Sequence, residues 1–453
     1  MKIKIHKKFI LILTLIVFLL GLLVFLWRMG EPSEGVIYSN VYIHGVAVGG
    51  LSKEEAIDAL MERFQSELEA RIINYTINGE TAAEFVFKDF GARFDFDALV
   101  EDALDYSHLR SLRRQARRIF TRDFNINAPP IFTFSTEQME TTMQKLSEKI
   151  DVPPRNAAFF VELSEGEKIS KKDEKAGQGV DTEAAALLTQ DVLKTLSNGT
   201  VELSIKIIEP QYGSEILNFT PTILGYFETV CFSGQEQPRR RNITRAAERI
   251  NNSMLYPGEI FSAGAVIAAH LPDSGYESAV VLVRGEPVQD IGGGVCQVVT
   301  TLYNAVLRAE LEVIQRHNHS ARVSYAEPGF DATVAGTYLD LKFKNNTNYP
   351  LLITSRVHGE RLYVRIYGKD NREAGRNIRF EAREVELIPP EPYREIVDPK
   401  IPRGTRIVTL ESQIGYNIEL YKIVYLHGVE TEQIKINSSV YKPLQGIISI
   451  GAG

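Results

Sequence analysis

Three consecutive glycines, Gly292 to Gly294, run straight into Val295 to Ala309, a stretch without a helix breaker. Glycine tolerates positive φ and close backbone approach, so the stretch reads as a tight turn that opens a helix. Cys296 stands in the first turn of that helix. Unpaired N–H groups and the positive end of the helix dipole lower a thiol's pKa at such a position and favour the thiolate. The Cys296 N–H, with a second donor from Gly294 in the turn or from Gln297, is then placed to stabilise a developing oxyanion.

Two further features lie downstream. Arg316-His317-Asn318-His319-Ser320 follows a short β-type run, Leu311 to Ile314, and Asp331 follows the turn-like Glu327-Pro328-Gly329-Phe330. Nucleophile, then imidazole, then carboxylate is the chain order of papain-like and transglutaminase-like folds. His317 and His319 share one side of an extended segment, so one serves as base while the other packs or contacts substrate beside Arg316. The same residues leave other readings open. Cys296 pairs with Cys231 in a disulfide, or is a small apolar core thiol. His-x-His with Cys296 supplies three ligands to zinc, with Asp331 or water as the fourth. No C-x-x-C or H-E-x-x-H supports a metal, and the glycine turn lacks the Lys-Ser/Thr of a phosphate loop, so no metal or cofactor is expected.

GGGVCQVVTTLYNA, RHNHS, PGFDATV and DLKFKNNTNYPLLI, with RNITRAAERINNSMLYPGEIFS upstream, resemble the signature blocks of the VanW family over roughly Arg241 to Gly368. That family is named for an accessory protein of glycopeptide-resistance gene clusters. The resemblance implies a bacterial envelope setting and puts His319 at the more regular histidine position, which makes it the expected base, oriented by Asp331. HGVAVGGLSKEEAIDAL is similar to a peptidoglycan-binding domain that often precedes VanW domains. PKIPRGTR, GYNIELYKIVYLHG and SSVYKPLQGIISIG resemble a G5 domain, a small all-β module of wall-associated proteins for which amino-sugar polymers are the proposed ligands.

The amino terminus sets an address. Met1 to Lys8 holds four lysines, and Phe9 to Trp27 is apolar apart from Thr14 and Gly21, close to the ~20 residues a bilayer core requires. Trp27-Arg28 ends the run without a small-x-small cleavage site, so an uncleaved anchor is expected rather than a signal peptide. Lysines before the run and Glu31 and Glu34 after it leave the amino terminus in the cytoplasm and the remainder outside. At 453 residues the chain holds several domains, and its net charge of −7 gives no reason to expect nucleic acid. Leu109 to Arg122 reads as a basic helix, either a solvated face or a contact for anionic surfaces.

Between anchor and glycine turn, strand, turn and capped helix recur. Ser52 with Glu55 forms a capping box, alternating Phe85, Phe87 and Phe90 lead to a helix over Asp95 to Tyr106, Ser135 with Gln138 forms another box, and Asp181 caps Thr182 to Leu196. After the Cys296 helix come alternating strands, then a charged, proline-rich strand and stiff linker over Glu384 to Pro399, then β hairpins turning at His427-Gly428. The expected architecture is α+β and multidomain: cytoplasmic tail 1–8, transmembrane anchor 9–27, peptidoglycan-binding α+β region 36–212, VanW-like domain 225–368 with a helix on an antiparallel sheet, and all-β G5-like domain 380–453. The expected protein binds or remodels peptidoglycan or another wall glycan or peptide, with Cys296, His319 and Asp331 performing acyl transfer. The competing expectation is a non-catalytic wall binder in which these side chains form a buried network.

Overall fold

Short polar side chains start the helices of the amino-terminal half. The Glu55 N–H donates to Ser52 Oγ at 3.3 Å and the Ser52 N–H to the Glu55 carboxylate at 2.9 Å, opening the helix Lys53–Glu69. Ser135 caps Thr136–Ile150 and Asp181 caps Thr182–Lys194, each accepting an N–H at 3.2 Å without the return bond that would complete a capping box, so the box expected at Ser135 and Gln138 is half formed. The computed structural model describes residues 12–21, 35–107, 123–162, 168–231, 237–268, 274–283 and 286–453. Contacts divide the chain into two units, Met1–Arg155 with Ala176–Glu209 and Asn156–Lys175 with Pro210–Gly453.

The first unit has two small cores. Ile37, Val41, Ile43, Leu60 and Val100 fill one, while Tyr75, Phe85, Phe87, Phe90, Leu146 and Leu193 fill the other. In the second core Ile72–Ile77 is the central strand, antiparallel to Glu80–Val86 and parallel to Gly199–Glu202. The phenylalanine alternation stops being a strand at Val86: Phe87–Phe90 is a 3-10 turn, which puts both rings into the core. Residues 12–21 are helical with exposed apolar side chains, and the rest of the expected 9–27 anchor and the 1–8 tail lie outside the described residues. Among the described residues no helix is long and apolar enough to cross a membrane. The basic stretch 109–122 also lies outside them.

In the second unit an antiparallel sheet runs in the order Thr222–Val230, Arg361–Gly368, Leu351–His358, Ser253–Leu255. The helices Gln237–Ile250 and Val295–Arg308 pack on it, and Val298, Leu302 and Val306 are wholly buried there with Leu362, Val364 and Ile366. Each such side chain contributes roughly 1.5–3 kcal/mol of burial. The helix lies against the sheet so closely that a Cβ at Gly225 would fall onto the Ala305 carbonyl. A smaller sheet, Ile260–Ser262, Lys342–Lys344 and Glu312–Gln315, carries the chain towards the two histidines.

The carboxy-terminal part is all β. Arg376–Ile388, Gly415–Leu426 and Val429–Tyr441 form one antiparallel sheet, its hairpin turning at His427 and Gly428, both with positive φ. The expected stiff linker is in part a strand, because Arg394–Asp398 pairs in parallel with Ile447–Gly451 beyond the prolines. This β part belongs to the same unit as the Cys296 helix.

Candidate functional site

Cys296, Thr300 and Asn304 stand one turn apart on one face of the helix, and each holds a different residue of the segment 330–334. Cys296 Sγ lies 3.2 Å from Thr333 Oγ1 and 3.6 Å from the Val334 carbonyl oxygen. The Thr300 hydroxyl donates to the Ala332 carbonyl at 2.9 Å and accepts the Ala332 N–H at 3.1 Å, and the Asn304 side-chain amide donates to the Phe330 carbonyl at 2.7 Å. Asp331 is thereby fixed between two pinned neighbours. On the other side the Thr333 N–H donates to the His317 carbonyl at 2.9 Å, which ties the histidine segment to the same loop.

His319 Nδ1 lies 2.6 Å from Asp331 Oδ2, which also accepts the His319 N–H at 2.7 Å. That leaves Nε2 for the sulfur and for the Tyr325 hydroxyl, 3.3 Å away. The other carboxylate oxygen accepts from Arg316 Nη2 at 2.9 Å and from the Tyr441 hydroxyl. Tyr441 in turn accepts the Gly329 N–H at 2.7 Å, so its hydroxyl has one direction in which to donate. Asp331 is 1% exposed and every oxygen is satisfied, as a buried carboxylate requires.

The electrostatics follow from these contacts. Burial pushes the Asp331 carboxyl up, but His319 and Arg316 more than offset it and hold it below the usual range. Burial would lower His319, yet Asp331 and Cys296 raise it to about 9. At Cys296 burial opposes the charged form, and the bond and charge of His319, with Thr333, reverse this and lower the thiol. Sulfur and imidazole therefore favour the thiolate and imidazolium together. Tyr325 is pushed well up by burial and by the charge of Cys296, and stays neutral.

The other expected residues behave differently. Gly294 caps the helix at φ 107°, a conformation that favours glycine, and a Cβ there would meet the Ile243 and Arg239 side chains. Gln297 is no oxyanion donor, because its amide protons go to Thr229 Oγ1 at 3.1 Å and the Val230 carbonyl at 2.8 Å. Among the described residues the Val295 and Gln297 N–H groups are taken by Gly292 and Gly294, and the Cys296 N–H has no backbone partner. Arg316 is buried and spent on Asp331, the Gly329 carbonyl and Ser439, which removes it as a substrate contact. The His317 ring nitrogen lies 3.1 Å from the Gln315 side-chain amide, whereas His319 bonds Asp331, so the two histidines have different partners. Among the described residues no cluster of His, Cys, Asp and Glu is placed to hold a metal.

Cys231 and Cys296 are both free, so the bridge between them is absent. Cys231 is buried, donates to the Glu360 carbonyl at 3.3 Å, and is pushed up to about 11 by that burial. Thr333, Tyr325, Arg239 and Tyr441 escaped the sequence reading. Thr333 and Tyr325 lie within a few residues of the expected site and only distance marks them out. Tyr441 lies 110 positions beyond Asp331, and nothing in its local pattern signals a role.

Residues 238–367 match the family described as "VanW like protein", and residues 83–202 match the one described as "Putative peptidoglycan binding domain". The chain carries a VanW-like domain. Cys296, His319, Asp331 and Arg239 all fall within it, whereas Ser439 and Tyr441 come from beyond the VanW-like segment. The chain is 37% identical over 171 residues to YoaR of Bacillus subtilis (strain 168), an uncharacterized protein, covering 38% of this chain and 56% of that one. It is 27% identical over 139 residues to the vancomycin B-type resistance protein VanW of Enterococcus faecalis (strain ATCC 700802 / V583), covering 29% and 50%. The chain thus spans about half the length of these curated relatives. Among solved structures, the IgA1 protease G5 domain is similar at 21% identity and TM-score 0.13, covering 18% of this chain and 95% of that one. The crystal structure of HP0197-G5 is similar at 20% identity and TM-score 0.10, covering 17% and 99%.

Proposed function

We propose that this chain is a membrane-anchored envelope protein whose VanW-like domain performs thiol-dependent acyl transfer on peptidoglycan or a related wall peptide. The observation that carries the reading is the His319 imidazole, bonded to buried Asp331 on one side and to Cys296 on the other, where each favours its partner's charged form. The thiolate attacks an amide carbonyl and an S–C bond forms, with charge gathering on the oxygen beside the Cys296 N–H. The imidazolium gives its Nε2 proton to the leaving amine as the C–N bond breaks. Water or an acceptor amine then attacks the thioester, loses a proton to His319, and frees the sulfur. The peptidoglycan-binding family match supports the choice of polymer, and the lysine-flanked apolar run 9–27 supports an uncleaved span with the amino terminus inside.

Incubating the full chain in detergent with purified muropeptides is the test, read by mass spectrometry. New cleaved or joined peptides that vanish in Cys296→Ser are expected; no change with any muropeptide would overturn the catalytic reading. One observation favours a second reading, that of a binder. One cleft in this unit, of about 330 Å³, is lined by Tyr303, Gln315, His317, Asn318 and Ser438, and not by Cys296 or His319. A binder predicts that the chain pellets with insoluble wall material equally well after Cys296→Ser.

A further inference from the structure

Arg239 stands in the helix Gln237–Ile250, in which Arg241 pairs with Glu277 and Arg249 donates to the Ile267 and Ser274 carbonyls. Arg239 spends one nitrogen, Nη2, on Gln297 Oε1 at 2.8 Å, the residue next to the nucleophile. Its side chain runs past the glycine turn, since a Cβ at Gly294 would lie 3.2 Å from Arg239 Cγ. It is half-buried, and among the described residues it makes no ion pair. Its charge is felt at Tyr325, whose hydroxyl touches His319 Nε2.

The charges around the sulfur do not cancel. The thiolate offsets the imidazolium and Asp331 offsets Arg316, which leaves the Arg239 guanidinium over, with most of its donors unspent. We propose that Arg239 is a specificity residue that binds a carboxylate carried by the substrate close to the carbonyl attacked by Cys296. A guanidinium suits this because its planar fork matches a carboxylate with two parallel bonds. The ligand class is a peptide or acyl amino acid with a free carboxylate near the scissile bond, and an amidated peptide is the poorer substrate. The inference rests on the nucleophile reading above.

Alkylation of the full chain tests it without knowing the substrate. Iodoacetate and iodoacetamide undergo the same displacement, in which the thiolate forms an S–C bond and iodide leaves, but only iodoacetate carries a carboxylate. We expect the iodoacetate to iodoacetamide rate ratio to fall about tenfold in Arg239→Gln, and Arg239→Lys, which keeps the charge, to retain most of it. The preference should also weaken as salt is raised. Equal slowing of both reagents in Arg239→Gln would mean that the cation acts on the thiolate, and would overturn the proposal. So would an unchanged ratio, which would assign any anion preference to the imidazolium alone. Alkylation of Cys296 by neither reagent in the wild-type chain would instead remove the nucleophile reading, and the proposal with it. Arg239→Lys also separates charge from folding, because it gives up the Nη2 bond to Gln297 as Arg239→Gln does.

Discussion

A carboxylate at Asp331 that accepts from His319 twice, from Arg316 and from Tyr441 has no freedom to turn, and this makes the imidazole beside it directional. The consequence is a pH dependence with a definite sign. Below the lowered thiol value the sulfur keeps its proton and cannot attack; above about 9 the ring has lost the proton that a leaving amine needs. Acyl transfer should therefore follow a bell with its alkaline limb near 9, whereas alkylation, which needs no acid, should hold its rate beyond that limb. Stopped-flow alkylation against peptide turnover across this range checks both curves. Replacing His319 with Gln should return the thiol towards its ordinary value and slow alkylation at neutral pH about tenfold or more, since each unit of pKa is tenfold in thiolate. An alkylation profile that His319→Gln leaves unmoved would place the cause of the low thiol elsewhere.

At the scale of elements, the site is a helix laid on a sheet with a loop stitched along its Cys296–Thr300–Asn304 face, which is buried at Thr300 and Asn304. Gly225 permits the first contact and Thr300 makes the central stitch. Gly225→Ala must push the Ala305 carbonyl away and should cost about 1–3 kcal/mol by overpacking, visible as a lower urea midpoint. Thr300→Val is of nearly equal volume but leaves the Ala332 N–H and carbonyl unpaired, a cost of ~1–3 kcal/mol. Thr300→Val should lower alkylation of Cys296 along with stability, because Thr333 and Asp331 move with Ala332. Helix, capping residues and hairpin turns were readable in the sequence because each is a local pattern: glycines before an unbroken run, Ser52 with Glu55, His427 before Gly428. Cys296, His319 and Asp331 were readable by residue type and order. The spending of Gln297 on Thr229 and Val230, and of Arg316 on Asp331, was not, because a side chain's remaining capacity depends on neighbours tens of residues away.

For the second unit as a whole, the carboxy-terminal strand Val429–Tyr441 is part of the site. Asn437, Ser439 and Tyr441 alternate onto one face, as a period of two dictates. They reach the Tyr303 hydroxyl at 2.8 Å, Arg316 Nη1 at 2.6 Å and the Asp331 carboxylate. A second clamp joins Glu310, just past the Cys296 helix, to Arg376 at 2.6 Å and Lys422 at 3.0 Å on the same carboxy-terminal sheet. A VanW-like domain ending near residue 368 would lose all of these partners. Tyr441→Phe isolates the one that touches Asp331. It removes a hydroxyl and little volume, leaving Asp331 Oδ1 with Arg316 and the Gly329 N–H with no acceptor. A hydrogen bond to a charged group contributes ~1.5–3 kcal/mol, so the melting temperature should fall measurably. The distinctive readout is the Cys296 alkylation profile against pH. If Tyr441 positions the carboxylate, the profile moves in Tyr441→Phe but stays in place in a variant destabilised in a separate core cluster of the same unit, such as Leu352→Ala, which packs with Phe159 and Leu217. Identical profiles in wild type and Tyr441→Phe would reduce the strand to a structural support.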